Sequence, residues 1–293
     1  MQIIDGKRVA HLFQKEIARE VHTMVQAGER PPCLVAVLVG DNPASQTYVK
    51  NKILACRNVG FQSDVIYLEE NCTEEKLLQV IEKLNQNPEV DGYIIQLPLP
   101  RHISDKKIFE KMAPSKDVDG FHPVNVGRMT LNLPAYISAT PYGILQLLQH
   151  YNIQTSGKHC VVVGRSHIVG LPVSILLSQN RHFGNATVTV CHSKTANLPE
   201  ITRQADILIA ALGKPRFIKA HMVKKGAVVI DVGINRVPDE ANTGKYKIAG
   251  DVDFENVAPL CSYITPVPGG VGPMTITSLL KNTLLARKKI IYP

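Results

Sequence analysis

The chain has 293 residues, of which 44% are hydrophobic, 20% charged and 5% aromatic, an ordinary globular balance with enough length for two packed cores. Its formal charge of +8 comes without a long basic run or basic-aromatic interleaving, so the charge is read as meeting small polyanions or solvent rather than nucleic acid. No apolar stretch approaches the roughly 18 to 20 residues that span a bilayer, the start Met1-Gln2-Ile3-Ile4-Asp5-Gly6 has no leader pattern, and the six cysteines lack metal-ligand or paired spacing. The expectation is therefore a cytoplasmic protein with reduced, mostly buried thiols, no metal site, and neither a membrane nor a nucleic-acid partner.

An opening helix is predicted over 7–27, where Val9, Leu12, Phe13, Ile17, Val21 and Met24 recur near a 3.6-residue period. Short apolar strands at 34–39, 64–68 and 92–97 alternate with helices at 43–59 and 74–86, the pattern of a mainly parallel sheet covered on both faces. Thr140-Pro141 opens a linking helix, with Thr140 as cap and proline at the first helical position, and a domain boundary is placed just before it. A second alternation follows, with strands at 159–163, 186–190, 206–210 and 227–232, and reads as a doubly wound nucleotide fold. A final helix over 274–289 carries Ile276, Leu279, Leu280 and Leu284 on one side and is expected to cross back. The fold class is α/β, with one domain formed by 1–139 joined by 274–293 and a Rossmann-like one formed by 140–273.

Gly164-Arg165-Ser166-His167-Ile168-Val169-Gly170-Leu171-Pro172 follows a strand and opens a helix, the context a dinucleotide turn requires. It departs from G-x-G-x-x-G, since Ser166 stands where the second glycine would be and the last glycine falls one place late. A solvated glycine-rich turn without ligand is the plain alternative. After the next strand the chain reads Val190-Cys191-His192-Ser193-Lys194-Thr195, with no carboxylate before Glu200 to take ribose hydroxyls. Arg165, Ser193 and either His192 or Lys194 could instead surround a ribose phosphate, which favours NADP over NAD.

In the N-terminal half, Tyr48 and Lys52 lie four residues apart in a predicted helix, hence on one face. Gln96 is a lone carboxamide at the end of an apolar strand, where two prolines stop it, and could line a cleft or be a satisfied core glutamine. Lys116-Asp117-Val118-Asp119-Gly120 offers two carboxylates that point opposite ways if extended, so that one could face a cleft, although a solvated turn is the ordinary reading. The loop from Thr265 to Thr275 is stiffened by prolines and bare at three glycines, which lets a flat ligand approach its backbone.

Taken in order, Tyr48-x-x-x-Lys52, Gln96-Leu97-Pro98-Leu99-Pro100, Lys116-Asp117-Val118-Asp119-Gly120, the Gly164 turn and Pro266-Val267-Pro268-Gly269-Gly270-Val271-Gly272-Pro273-Met274-Thr275 resemble the bifunctional methylenetetrahydrofolate dehydrogenase/cyclohydrolase family over nearly the whole chain. The resemblance implies NADP-dependent oxidation of 5,10-methylenetetrahydrofolate and hydrolysis of the methenyl product to 10-formyltetrahydrofolate, in one-carbon metabolism supplying purine, methionine and histidine synthesis. It implies Lys52 as the catalytic residue with Tyr48 and Gln96 beside it, Asp119 holding the pterin, and Leu97, Pro268, Gly269 and Gly270 lining the folate site. Gly164, Arg165, Ser166, Ile168, Ser193, Ile234 and Thr275 would contact the cofactor, and the protein would be a homodimer acting on tetrahydrofolate one-carbon derivatives.

One branch of the family prefers NAD with magnesium and phosphate; Ala44-Ser45 and Asp119-Gly120-Phe121-His122 resemble that branch, whereas Cys191 to Thr195 resembles the NADP type. A short-chain dehydrogenase also uses Y-x-x-x-K, but its glycine-rich turn precedes that motif, and here Tyr48 comes long before Gly164. A non-catalytic basic RNA-binding module would explain the charge but leaves Lys52, Gln96 and the 266–275 loop without a role.

Overall fold

A computed structural model describes residues 1–239 and 246–293. In chain order the first elements are β1 (Gln2–Ile3), α1 (Gly6–Gln26), β2 (Cys33–Val39), α2 (Pro43–Asn58), β3 (Gln62–Leu68), α3 (Glu74–Gln86), β4 (Gly92–Ile95), α4 (Asp105–Lys111) and α5 (Pro123–Thr130). They are followed by α6 (Ala139–His150), β5 (His159–Val163), α7 (Gly170–Ser178), β6 (Thr187–Cys191), α8 (Leu198–Thr202), β7 (Ile207–Ala210) and β8 (Val228–Asp231). The chain ends with β9 (Asn235–Pro238), β10 (Tyr246–Ala249), α9 (Phe254–Val257), β11 (Tyr263–Ile264) and α10 (Val271–Arg287). Two compact units result, one of Met1–His11 with Thr140–Thr275 and one of Leu12–Ala139 with Ile276–Pro293.

In the unit of Leu12–Ala139 and Ile276–Pro293, three parallel strands lie in the order β3-β2-β4. The central strand reads Cys-Leu-Val-Ala-Val-Leu-Val because both of its faces are covered. Side chains alternate across a strand, so Leu34, Ala36 and Leu38 pack with Ile17 and Val21 of α1, Val49 and Cys56 of α2, and Leu279, Leu280 and Leu284 of α10. Val35, Val37 and Val39 face the other way, against Leu77, Ile81 and Leu84 of α3 and Ile108 of α4. The returning C-terminal helix is thus part of this core, as its apolar side required.

The other unit is a six-stranded parallel sheet in the order β1-β11-β8-β7-β5-β6, with β9 and β10 forming a separate antiparallel pair. Strands β5, β6, β7 and β8 match the expected ones to within one residue at each end, and Val161, Val163, Leu208, Ala210 and Val229 form the centre of its core. The expected boundary differs at the start of the chain, because residues 1–11 group with this unit rather than with 12–139. The cause is local: Gln2 N donates to Ser262 O at 2.7 Å, Ile4 N donates to Ile264 O at 2.8 Å, and Ile4 is fully buried. Two-residue strands such as β1 and β11 are too short to show a period of two. The final helix also starts at Val271, three residues before the expected position, so that Pro273 sits in its first turn, where a proline costs no hydrogen bond.

One polar side chain ties α10 into its core. Asn282 is 1% exposed, and its Nδ2 donates to Val118 O at 2.8 Å and to Ile137 O at 2.9 Å. Replacing it with leucine keeps the size but leaves two buried carbonyls unpaired, so Asn282→Leu is expected to lower stability by about 3 kcal/mol in urea denaturation.

Candidate functional site

Within the three-stranded unit, the carboxyl ends of β2 and β4 set two side chains beside each other. Helix α2 leaves β2 through Asn42, whose Oδ1 accepts from Ala44 N at 3.0 Å and Ser45 N at 3.2 Å, with Pro43 opening the first turn. That cap fixes the start of the helix, and the i, i+4 spacing then places Tyr48 and Lys52 on one face. Gln96 follows β4, whose strand stops at Ile95 although Gln96 N still donates to Val37 O at 2.9 Å. Across the β2–β4 pair, Lys52 Nζ donates to Gln96 Oε1 at 3.2 Å, while Gln96 Nε2 donates to Leu97 O at 2.8 Å. Half-buried Gln96 thus divides its amide between Lys52 and the carbonyl of the next residue. Tyr48 is 39% exposed, and partial burial pushes its phenol up from its ordinary value.

The Asp117-Val118-Asp119 segment separates two carboxylates by what surrounds each. Asp117 is fully buried and accepts from Phe121 N at 3.1 Å, His122 N at 2.8 Å and Asn125 Nδ2 at 2.9 Å, so it ties the following turn together. Burial nevertheless pushes it up to about 7, and those donors only partly offset the shift. Asp119 is 8% exposed, and among the described residues no hydrogen bond reaches its carboxylate. Burial raises its pKa and the Lys52 ammonium pulls it back. A carboxylate taken out of water without donors is costly. Val118, held by Asn282, fixes the backbone just before it.

In the unit of the six-stranded sheet, the register pairs Val163 with Cys191, and Gly164 N donates to Cys191 O at 2.9 Å. The loops after β5 and β6 therefore leave the sheet side by side, with Arg165 and Ser193 each two residues beyond the pair. Both are exposed. Gly164 has φ +132°, and a Cβ there would stand 2.1 Å from Ala211 O, so only glycine fits between β5 and the neighbouring loop. Ser166 Oγ accepts from Val169 N at 3.1 Å and shapes the turn that leads into α7, which begins at Gly170; Ile168 is 36% exposed on the same turn. After β6, Thr195 Oγ1 accepts from His192 N at 2.8 Å and Lys194 N donates to His192 Nδ1 at 3.2 Å, so His192 is occupied by its own turn, while the exposed Ser193 side chain has no hydrogen bond among the described residues. No carboxylate stands at the end of β6.

The other expected residues of this unit are placed as follows. Thr275 Oγ1 lies 3.0 Å from Thr140 Oγ1, and Ile234, 47% exposed, follows β8. In the loop before α10, Gly269 O accepts from Lys7 N at 2.9 Å, and Gly270 O would lie 1.8 Å from a Cβ on Gly6. Gly270 is thus bare because the start of α1 packs on it, whereas Pro268 is exposed and a Cβ at Gly269 would meet nothing nearer than 4.0 Å. Two cavities in this unit, of about 360 and 280 Å³, lie at the amino ends of the strands, around 154–156 with 180–185 and around Lys158, Asp206 and Lys224. Ligands of doubly wound sheets bind at the carboxyl ends, so neither cavity is the dinucleotide site. Among the described residues, no group of three or more His, Cys, Asp or Glu could hold a metal ion.

Residues 138–291 match the NAD(P)-binding domain of tetrahydrofolate dehydrogenase/cyclohydrolase, and residues 4–119 match the catalytic domain of the same enzymes. The chain belongs to the tetrahydrofolate dehydrogenase/cyclohydrolase family. A relative from Phocaeicola vulgatus named bifunctional protein FolD is 58% identical over 292 residues, covering 100% of both chains. The crystal structure of the bifunctional enzyme FolD, a methylenetetrahydrofolate dehydrogenase/cyclohydrolase, from Campylobacter jejuni is 47% identical with a TM-score of 0.93, covering 99% of each chain. The Trypanosoma brucei methylenetetrahydrofolate dehydrogenase-cyclohydrolase, complexed with NADP cofactor and inhibitor, is 38% identical with a TM-score of 0.93, over 99% of this chain and 98% of that one.

Sequence reading missed Asp231 and Asp251, two buried carboxylates among the loops of the dinucleotide unit. Asp231 is a lone acid between apolar residues, in Ile230-Asp231-Val232-Gly233, and Asp251 directly follows a glycine, in Gly250-Asp251-Val252-Asp253, which was the available signal. For the turn itself, Gly164→Ala forces a Cβ onto Ala211 O. An NADP titration of that variant is expected to show binding weaker by about 100-fold.

Proposed function

We propose that this chain oxidises 5,10-methylenetetrahydrofolate to 5,10-methenyltetrahydrofolate with NADP and hydrolyses the product to 10-formyltetrahydrofolate. The observation that carries the reading is Asp119, a buried carboxylate with no donor among the described residues, grouped with the hydrogen-bonded Lys52 and Gln96. A reduced pterin presents an exocyclic amino group and an adjacent ring N–H, a donor pair matched to one carboxylate. Asp119 takes that pair, Leu97 lines the folate, and Tyr48 and Gln96 orient Lys52.

The dinucleotide cradle fits its cofactor, since the close approach at Gly164 leaves bare backbone before a helix start. Gly164, Ser166 and Ile168 hold the pyrophosphate turn, Arg165 and Ser193 take the ribose phosphate, and Ile234 and Thr275 line the remainder. Bound NADP supplies the hydride acceptor. The oxidation asks little acid-base help of the protein beyond an oriented, dry pose.

Hydrolysis needs more. Water adds to the cationic methenyl carbon and loses one proton; the bond from that carbon to N5 then breaks as N5 gains a proton and the added hydroxyl gives up its own, leaving the formyl group on N10 and one proton released overall. An amine held by Gln96 can pass a proton between water and N5, and Lys52 Nζ is that amine. The reading also carries the homodimer that the resemblance implies and a cytoplasmic residence, with no nucleic-acid or membrane partner.

An absorbance assay that follows methenyl-folate formation and decay tests both steps. With NADP the parent chain should show both, and with NAD much less. Lys52→Gln should lose cyclohydrolase activity by about 100-fold or more while its KM for NADP stays within about twofold; equal retention of both activities would refute the role of Lys52. A pH series reads Asp119: its carboxylate must be charged to accept the pterin donors, so the folate KM should fall as pH rises through its raised pKa.

A further inference from the structure

Asp251 is fully buried, yet it belongs to no strand and reaches the sheet only after the chain has run out and back through β9 and β10. Its Oδ2 accepts from Leu212 N at 2.6 Å and Gly213 N at 2.9 Å, and its Oδ1 accepts from Lys214 N at 2.9 Å and Asn235 Nδ2 at 2.8 Å. Three consecutive backbone N–H groups converging on one point form a concavity that binds anions. In the loop after β7 that concavity is filled by the protein's own carboxylate, so those donors shape the loop and are not left for a phosphate.

Asp231 continues the arrangement at the end of β8. Its Oδ1 accepts from Gly233 N and Asp251 N, both at 2.9 Å, and its Oδ2 accepts from Val252 N at 3.0 Å. The two acids therefore lock the loop after β7 and the loop after β8 to each other. Strand β6, with Ser193 beyond it, lies on one side of β5, and β7 and β8 lie on the other. A dinucleotide crosses the carboxyl ends of such a sheet. The half of a bound cofactor directed away from Ser193, which carries the nicotinamide, would fall on the loops that Asp251 holds.

We propose that Asp251 is a positioning residue for the nicotinamide half of the dinucleotide, acting through the backbone of Leu212 to Lys214 and through Asn235. The inference rests on the functional reading above. Asp251→Asn tests it sharply, because whichever way the amide is turned its NH2 group faces two N–H donors and repels one loop or the other. The dehydrogenase KM for NADP should rise about tenfold or more in that variant, while the cyclohydrolase step, assayed on methenyl-folate without cofactor, keeps kcat/KM within about twofold of the parent.

A role confined to stability predicts the opposite pattern: both activities falling together with the NADP KM unchanged, which would overturn the proposal. Should Asp251→Asn fail to fold, Asn235→Ala removes one of the four donors to Asp251, together with a bond to Ala249 O at 3.2 Å. A rise of about threefold in the NADP KM then supports the proposal, and a value indistinguishable from the parent overturns it. The parent chain is measured alongside, and absence of NADP turnover in the parent would overturn the functional reading and this inference together.

Discussion

A carboxylate buried without donors is the constraint around which the three-stranded unit is arranged. Asp119 is 8% exposed, and the charge that acts on it is the ammonium of Lys52. A folded protein seldom keeps such a group unless a ligand completes it, since an unpaired buried charge works against folding. The surrounding elements hold it in place. Asn282 on the returning helix grips the carbonyl of Val118, Asp117 gathers the turn that follows, and the capped start of α2 delivers Lys52 to the neighbouring strand end.

Four buried acids show how the same side chain serves two purposes. Asp117, Asp231 and Asp251 each accept three or more hydrogen bonds from their own surroundings and fix loops at strand ends. Asp119 accepts none from the described residues. The difference lies in which N–H groups the chain folds back toward each acid. Burial raises Asp117 to about 7 and Asp231 to about 6 even with their donors in place, which shows how strongly these interiors resist charge.

Much of this was legible in the sequence. Buried parallel strands read as uninterrupted apolar runs, and the turn at Gly164 and the i, i+4 pair of Tyr48 and Lys52 depend on local spacing alone. The D-x-D-G segment gave two acids and no means of choosing, because the choice depends on Asn125 and His122 folding back onto Asp117. Asp251 was invisible for a similar reason: it lies far along the chain from the loop after β7 that it holds. Strands β1 and β11 are shorter than any period, so the start of the chain could not be assigned to the dinucleotide unit before its pairing was seen.

The most direct test of this account is equilibrium binding of tetrahydrofolate to Asp119→Asn beside the parent chain. The asparagine keeps the shape but replaces one acceptor with a donor and removes the charge. The account predicts folate binding weaker by about 100-fold with NADP binding unchanged. Folate affinity equal to that of the parent would contradict it.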